Sequence, residues 1–221
     1  MRWLLMLWMV LACGAARCED ARPAPDIIGV LHMSQQKQLD AMTPADATSA
    51  RALEVRESFE KLLRGLDGPA LSKVELRVVR GDVVGETLQG RIVVANVALA
   101  DLPEGERIFI LAHELGHVML DHWTQMGLVY AKWVPGAVEQ PHTDAIADRL
   151  GRDASALAYR QEFEADAFAL STLRAWGLPD QHVIAAFMDL GWRHDTATHP
   201  GTRKRLAALR ALAPDWRSVQ P

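Results

Sequence analysis

Two histidines and a glutamate between Leu111 and Leu120 have the types and spacing of a metal-dependent hydrolase. His113, Glu114 and His117 form an H-E-x-x-H motif inside an apolar run that is typical of a helix. Residues four apart lie one above the other on a helical face, so both imidazoles can bind one zinc ion. Glu114 lies beside them, where it can accept a proton from a zinc-bound water. Because this motif also arises by chance on amphipathic helices, it needs support elsewhere in the chain.

A second acidic stretch supplies that support. Glu162 and Asp166 lie four apart on a predicted helix that ends near Trp176, about 45 residues after the first motif. Glu162 can complete a His-His-Glu set, and Asp166 can accept the ring N–H of a ligand histidine and fix its tautomer. Two acids on a helix usually indicate a solvated face. Here the two acids are followed by apolar residues typical of a buried helix face, which favours a role in metal binding over a solvated surface.

The helix that carries the first motif has its own start signal. Asp101 as N-cap, followed by an early proline and a glutamate, predicts a helix over 102–123. Gly116 weakens a helix, which suggests that another backbone passes close to it. His122, five residues beyond His117, is interpreted as a surface residue or as a contact of a ligand, and not as a ligand itself.

Other elements are predicted from periodicity. A helix capped by Thr43 and Pro44 should pack behind the motif helix, and strands at 74–78 and 91–96 should form a small sheet. The edge of that sheet either binds an extended peptide along the cleft or only completes the core. Residues 125–154 show little period and predict a long mobile insertion with a short helix near 144–150. It is either a lid or a solvated loop.

Composition and the N-terminal sequence limit which partners the protein can bind and in which compartment it is expected. The chain has 221 residues and a net charge of −4, which indicates one sizeable core and argues against nucleic acid. Residues 1–18 predict a secretory signal peptide cleaved near 12–18, with a lipid anchor at Cys13 as the alternative to simple cleavage. Nothing later resembles a membrane span. We expect a linker over 19–33, a single domain over 34–213 and a tail over 214–221.

Three motifs in order give the sequence its family resemblance. H-E-L-G-H at His113, E-F-E-A-D at Glu162 and the segment Thr198 to Leu206 together resemble the HtpX/BepA-like zinc metallopeptidases, gluzincins related to the CAAX prenyl proteases. The similarity covers roughly 74–212. It implies an α+β fold, a mostly helical zincin-like metallopeptidase domain with a small β-sheet beside the active-site helix.

The resemblance also implies roles for individual residues. One Zn²⁺ would be held by His113, His117 and Glu162, with Glu114 as general base and Asp166 behind the ligands; Glu164 is the weaker ligand candidate. His199 matches a family histidine that approaches the metal or the oxyanion, and Arg205 matches an arginine that is ion-paired in the wall of the site.

The chain departs from the family pattern in two places. Gly85-Glu86-Thr87-Leu88 stands where the family often has Asn-Ala-Phe-Ala, which affects the substrate-facing edge. The transmembrane helices of the HtpX and prenyl-protease branches are missing, which favours a soluble exported branch in the periplasm or cell envelope.

These patterns predict a zinc-dependent endopeptidase that hydrolyses misfolded or envelope proteins in quality control. Two alternatives stay open. An ImmA/IrrE-like regulatory metallopeptidase also pairs H-E-L-G-H with a later glutamate, although the signal peptide and His199-Pro200 disfavour it. A zinc-stabilised chaperone or binding module would bind unfolded polypeptides with little turnover.

Overall fold

The computed structural model describes residues 25–213. The predicted signal peptide, the candidate lipidation site Cys13, the first part of the linker and the tail from 214 lie outside the described residues. The described residues form seven α-helices and one small four-stranded sheet. The helices are α1 (Ile27–Ala41), α2 (Ala50–Gly65), α3 (Glu104–Met119), α4 (His122–Trp133), α5 (Gln140–Ala175), α6 (Gln181–Asp189) and α7 (Thr202–Leu212), and the strands are β1 (Thr43–Pro44), β2 (Glu75–Arg80), β3 (Gly85–Leu88) and β4 (Ile92–Asn96). This arrangement confirms the predicted α+β, mostly helical fold class.

The sheet has the order β1-β2-β4-β3 and mixes both strand directions. β2 runs parallel to β4, while β1 and β3 are antiparallel to their neighbours. All five residues of β4 are buried, as expected for a strand covered on both faces. β3 lies at one edge of the sheet and contacts α3. The sheet therefore places an edge strand beside the helix that carries the H-E-x-x-H motif.

Helix α3 is the centre of the core. It is buried on nearly all sides and packs against α2, α5, α6 and β3. A Cβ added to Gly116 would lie 3.2 Å from the Cα of Ala165 on α5, so the two backbones approach closely. This confirms the expectation drawn from that glycine. The close packing brings the middle of α5 against the motif on α3.

The N-terminal predictions need correction. Thr43 and Pro44 do not cap a helix; they form β1, where Thr43 pairs with Arg80, and a proline is tolerated on an edge strand. The cap of α2 is Ser49, whose side chain accepts a hydrogen bond from the backbone N–H of Ala52. The predicted linker over 19–33 is also wrong beyond residue 26, because α1 begins at Ile27.

The predicted single helix over 102–123 is two helices. Asp101 ends a 3₁₀ turn and its carboxylate pairs with Arg51, so α3 begins only at Glu104, after Pro103. α3 ends at Met119, and α4 begins at His122 after Asp121, which has a left-handed φ of 53°. An aspartate tolerates this conformation better than most residues.

The predicted insertion over 125–154 is wrong. These residues form most of α4 and the N-terminal half of α5, a helix of 36 residues. The first turns of α5 are largely exposed, and Ile146 and Leu150 give only a short apolar stripe, too short to predict a helix of this length. Within the described residues, none of this segment lines the cavity beside the motif. No helix of residues 25–213 is both long and apolar enough to cross a membrane.

One acidic side chain in the first turn of α3 is buried. Glu106 is 5% exposed, and its Oε2 accepts no hydrogen bond from the described residues. Burial and a hydrogen bond with Asp189 raise the pKa of Glu106 from 4.5 to about 7. The pKa of this carboxyl is therefore higher in the folded protein than in the unfolded chain. Its contribution to the free energy of unfolding is fully present below the unfolded pKa and is lost as pH rises through the folded pKa.

Glu106→Gln should therefore change the pH dependence of stability. Because the amide stays neutral, we expect the variant to exceed the wild type by about 2 kcal/mol at pH 8 and to match it near pH 4. Urea denaturation of zinc-free protein at both pH values measures this. Glu104→Gln is the control: Glu104 is exposed and its hydrogen bond to Lys61 lowers its pKa, so the pH effect should be small and opposite. Parallel wild-type and Glu106→Gln profiles would contradict the prediction.

Candidate metal centre

Three side chains from two helices converge as the sequence predicts. His113 and His117 on α3 present their Nε2 atoms 3.3 Å apart. Glu162 on α5 places Oε2 3.7 Å from His113 Nε2 and Oε1 3.5 Å from His117 Nε2. Atoms bound to one zinc ion at about 2.0–2.1 Å in tetrahedral geometry lie roughly 3.3 Å apart. The three side chains are therefore spaced to hold one metal ion.

The hydrogen bond between His113 and Asp166 indicates which ring nitrogen of His113 carries a proton and which can bind a metal. His113 Nδ1 lies 3.0 Å from Asp166 Oδ1, a carboxylate that can only accept, so this nitrogen carries the proton. Its Nε2 then holds a lone pair directed at His117. Glu162 Oε2 is buried and accepts no hydrogen bond from the described residues. Lone pairs that converge without a proton between them repel one another unless a cation lies between them. Two imidazoles and one carboxylate are a common set of zinc ligands.

Asp166 and Arg205 form a buried ion pair behind the ligands. The guanidinium of Arg205 donates from Nε to Asp166 Oδ2 at 2.7 Å and from Nη2 to Oδ1 at 2.5 Å. Asp166 is 1% exposed, and burial alone would raise its pKa, but the hydrogen bonds and charge of Arg205 lower it. Asp166 thus stays ionised and able to accept from His113. Asp166 and Arg205, both singled out in the sequence, thus lie together behind His113.

Glu162 is held as an anion by the same surroundings. Its burial favours the neutral acid, but the adjacent imidazole of His117 and the positive charges nearby lower its pKa to about 2. Arg205 contributes through Nη1, which lies 3.3 Å from Glu162 Oε2. An ionised carboxylate at neutral pH is the state that binds a metal cation.

His122 is buried and supports His117 from behind. Its Nδ1 lies 2.9 Å from His117 Nδ1, and its Nε2 lies 3.2 Å from Glu164 Oε2. Because Glu164 only accepts, His122 carries its proton on Nε2 and accepts from His117 Nδ1–H. The surface position considered for His122 is thus wrong. Its side chain is 4% exposed, and burial and the nearby His117 lower its pKa to about 4. Glu164 is not among the converging ligand atoms.

Glu164 is the last residue in the series of hydrogen bonds that runs from His117 through His122. Removing its carboxylate should weaken metal binding. With Glu164→Ala, His122 loses its anchor and His117 is less firmly held in the tautomer that presents Nε2, so we expect zinc affinity to fall about 10-fold. Competition with a chromophoric chelator measures it. Asp153→Ala is matched: it has the same side-chain exposure as Glu164, lies on the same helix and also bonds to α4, through Trp133. An equal loss in both variants would contradict the role given to Glu164.

A cavity of about 360 Å³ opens beside these residues. One wall is β3 and the turn before it, and the floor includes His113, Glu114 and Glu162. Apolar side chains, among them Phe109 and Phe187, continue the wall. Of the two alternatives for the sheet, the structure therefore supports an edge that borders the cleft.

Glu114 and His199 both line this cavity. Glu114 is buried in α3, and its Oε2 lies 2.8 Å from Thr87 Oγ1 on β3. His199 is exposed, with Nε2 3.5 Å from Glu162 Oε1. Its imidazole thus lies beside Glu162, one of the three converging side chains. Thr87 was not predicted as a site residue, because only the fold brings it to the motif. Glu164 was predicted only as the weaker ligand candidate, and the structure places it at His122 instead.

The converging side chains are a donor set that zinc hydrolases, including metallopeptidases, use. The model of Peptidase family M48 matches residues 49–140, a segment that contains α2, most of the sheet and the whole motif helix. This match confirms, over that segment, the resemblance to the HtpX/BepA-like metallopeptidases. Glu162, Asp166 and Arg205 lie beyond the matched residues. A search of curated proteins found no match to this chain.

Proposed function

We propose that the protein is a zinc-dependent endopeptidase of the cell envelope that hydrolyses misfolded or envelope proteins. The observation that carries this proposal is the convergence of His113, His117 and Glu162 beside an open cavity that also contains the carboxylate of Glu114. A metal site built only for stability is usually closed by four protein ligands, whereas a catalytic site keeps one position open.

The proposed chemistry assigns each residue a separate task. His113, His117 and Glu162 would hold the zinc ion, which when bound would supply a Lewis acid to water and to the scissile carbonyl. Glu114 takes the proton of the attacking water and passes it to the leaving amine. His199, at the rim, is placed to donate a hydrogen bond to the oxyanion that develops. Asp166, with Arg205, holds His113 in its ligand tautomer.

The shape of the cleft supports a polypeptide substrate. β3 is an edge strand that lines the cavity, so an extended peptide can pair with it as a further strand. Main-chain pairing is largely independent of sequence, which suits a protease that acts on unfolded segments. The proposed location rests on the apolar N-terminal sequence, with either cleavage within 12–18 or lipidation of Cys13. The intact mass of exported protein would distinguish the two.

Metal removal tests the activity. We expect the zinc-loaded full chain to cut an unfolded protein such as reduced casein at internal bonds, with more than 100-fold loss after chelation and recovery on adding zinc. Mass spectrometry of the fragments identifies internal cleavage. Binding of casein with no fragments from zinc-loaded protein would overturn the proposal and favour a zinc-stabilised binding module. Activity that resists chelation would overturn the role of the metal.

A further inference from the structure

Thr87 on the edge strand contacts Glu114 in two places. Its Oγ1 lies 2.8 Å from Glu114 Oε2 and 2.8 Å from the backbone oxygen of the same residue. A hydroxyl has one proton, so it donates to one of these oxygens at a time. An ionised carboxylate is the stronger acceptor of the two. The hydroxyl therefore donates preferentially to the side-chain carboxylate of Glu114.

The strand approaches α3 closely enough for this contact because of Gly85. Gly85 and Thr87 are two apart on β3 and so point to the same face of the sheet. A Cβ at Gly85 would lie 3.0 Å from Glu114 Oε1. The glutamate carboxylate thus lies against the strand, with Oε2 at the Thr87 hydroxyl and Oε1 at Gly85. Gly85 lines the cavity, whereas Thr87 is not among its lining residues.

We propose that Thr87 is a positioning residue that orients the general base. Its hydroxyl fixes Oε2 of Glu114 and leaves Oε1, beside Gly85 at the cavity wall, as the oxygen that takes the proton from water. A glutamate side chain has several rotamers, and catalysis needs the reacting oxygen held within a few tenths of an ångström. This inference rests on the proposed peptidase function. It concerns the part of the chain, 85–88, that departs from the family pattern.

Kinetics of two substitutions test the proposal. Thr87→Val removes the hydroxyl but keeps the shape, so we expect kcat to fall about 10- to 100-fold, with KM and zinc stoichiometry within 2-fold of the wild type. Thr87→Ser keeps the hydroxyl and should retain kcat within about 3-fold. Thr172→Val is the matched control, because it removes another buried hydroxyl, one that donates to Phe168 O away from the cavity. Full activity of Thr87→Val, or equal losses in the valine and serine variants, would overturn the proposal.

A measurement without activity separates this inference from the function on which it rests. In zinc-free protein, Thr87→Val and Glu114→Ala remove the same hydrogen bond. Their shifts of the urea midpoint should therefore be less than additive in the double variant. Additive shifts would overturn the contact between Thr87 and Glu114 even if the protein is a peptidase. Less than additive shifts in a chain that cuts no polypeptide would instead overturn the proposed function and keep the contact.

Discussion

Glu114→Gln should lower kcat for peptide hydrolysis by about 10³-fold while the protein retains one zinc ion. Glutamine has nearly the same shape as glutamate, and its amide oxygen can still accept from Thr87. It cannot take a proton from water at neutral pH. The three side chains that converge as metal ligands do not include Glu114, so metal binding should not depend on its charge.

Initial rates on a quenched peptide, with zinc content from native mass spectrometry of the same sample, measure this effect. The control is Glu57→Gln, which makes the same chemical change at an exposed position on α2. A Glu114→Gln variant that binds zinc and cleaves as fast as the wild type would show that another group is the base. A variant that loses zinc would place Glu114 in the ligand set.

Arg205→Met should destabilise the zinc-free protein by about 3–5 kcal/mol. The guanidinium is the bidentate partner of Asp166 and lies 3.3 Å from Glu162 Oε2, and both carboxylates are buried. Removing it leaves two like charges in a region where desolvation is costly. Methionine keeps much of the apolar stem of arginine, so the loss should come mainly from the missing charge and hydrogen bonds.

Urea denaturation of zinc-free protein at pH 7 measures this loss. Arg203→Met is matched, because it removes an exposed arginine from the same helix and should cost less than about 0.5 kcal/mol. Equal stability of the two variants would show that the buried carboxylates are compensated by other groups. Lowering the pH below 4 should reduce the difference between Arg205→Met and the wild type, since protonation removes the uncompensated charges.

The two histidine ligands could be predicted because their spacing is a local property of one helix, whereas Glu162 was assigned as the third ligand through the family resemblance. A spacing of four residues fixes the face on which His113 and His117 lie, and it relates Glu162 to Asp166 in the same way. Gly116 likewise indicated a close backbone before any partner was known. The small sheet was recognisable from alternation in β2 and from the apolar run of β4.

The elements and side-chain contacts that the sequence did not predict depend on tertiary structure. β1 has only two residues, too few for a period, and α5 begins with turns whose exposed faces conceal its helical character. Thr87 is 27 residues from Glu114, and Glu164 is 42 residues from His122. Pairs at such separations meet only when the core is packed. Sequence spacing could not reveal them.

The turn between α3 and α4 makes the metal centre dependent on one backbone conformation. In an uninterrupted helix, residues five apart differ by about 140° around the axis, so His122 would face away from His117. The left-handed Asp121 interrupts the helix between them, and the His117–His122 contact forms across this break. A β-branched residue at position 121 would disfavour that conformation. The residue at position 121 therefore influences how His122 meets His117 through the backbone, although among the described residues Asp121 does not line the cavity.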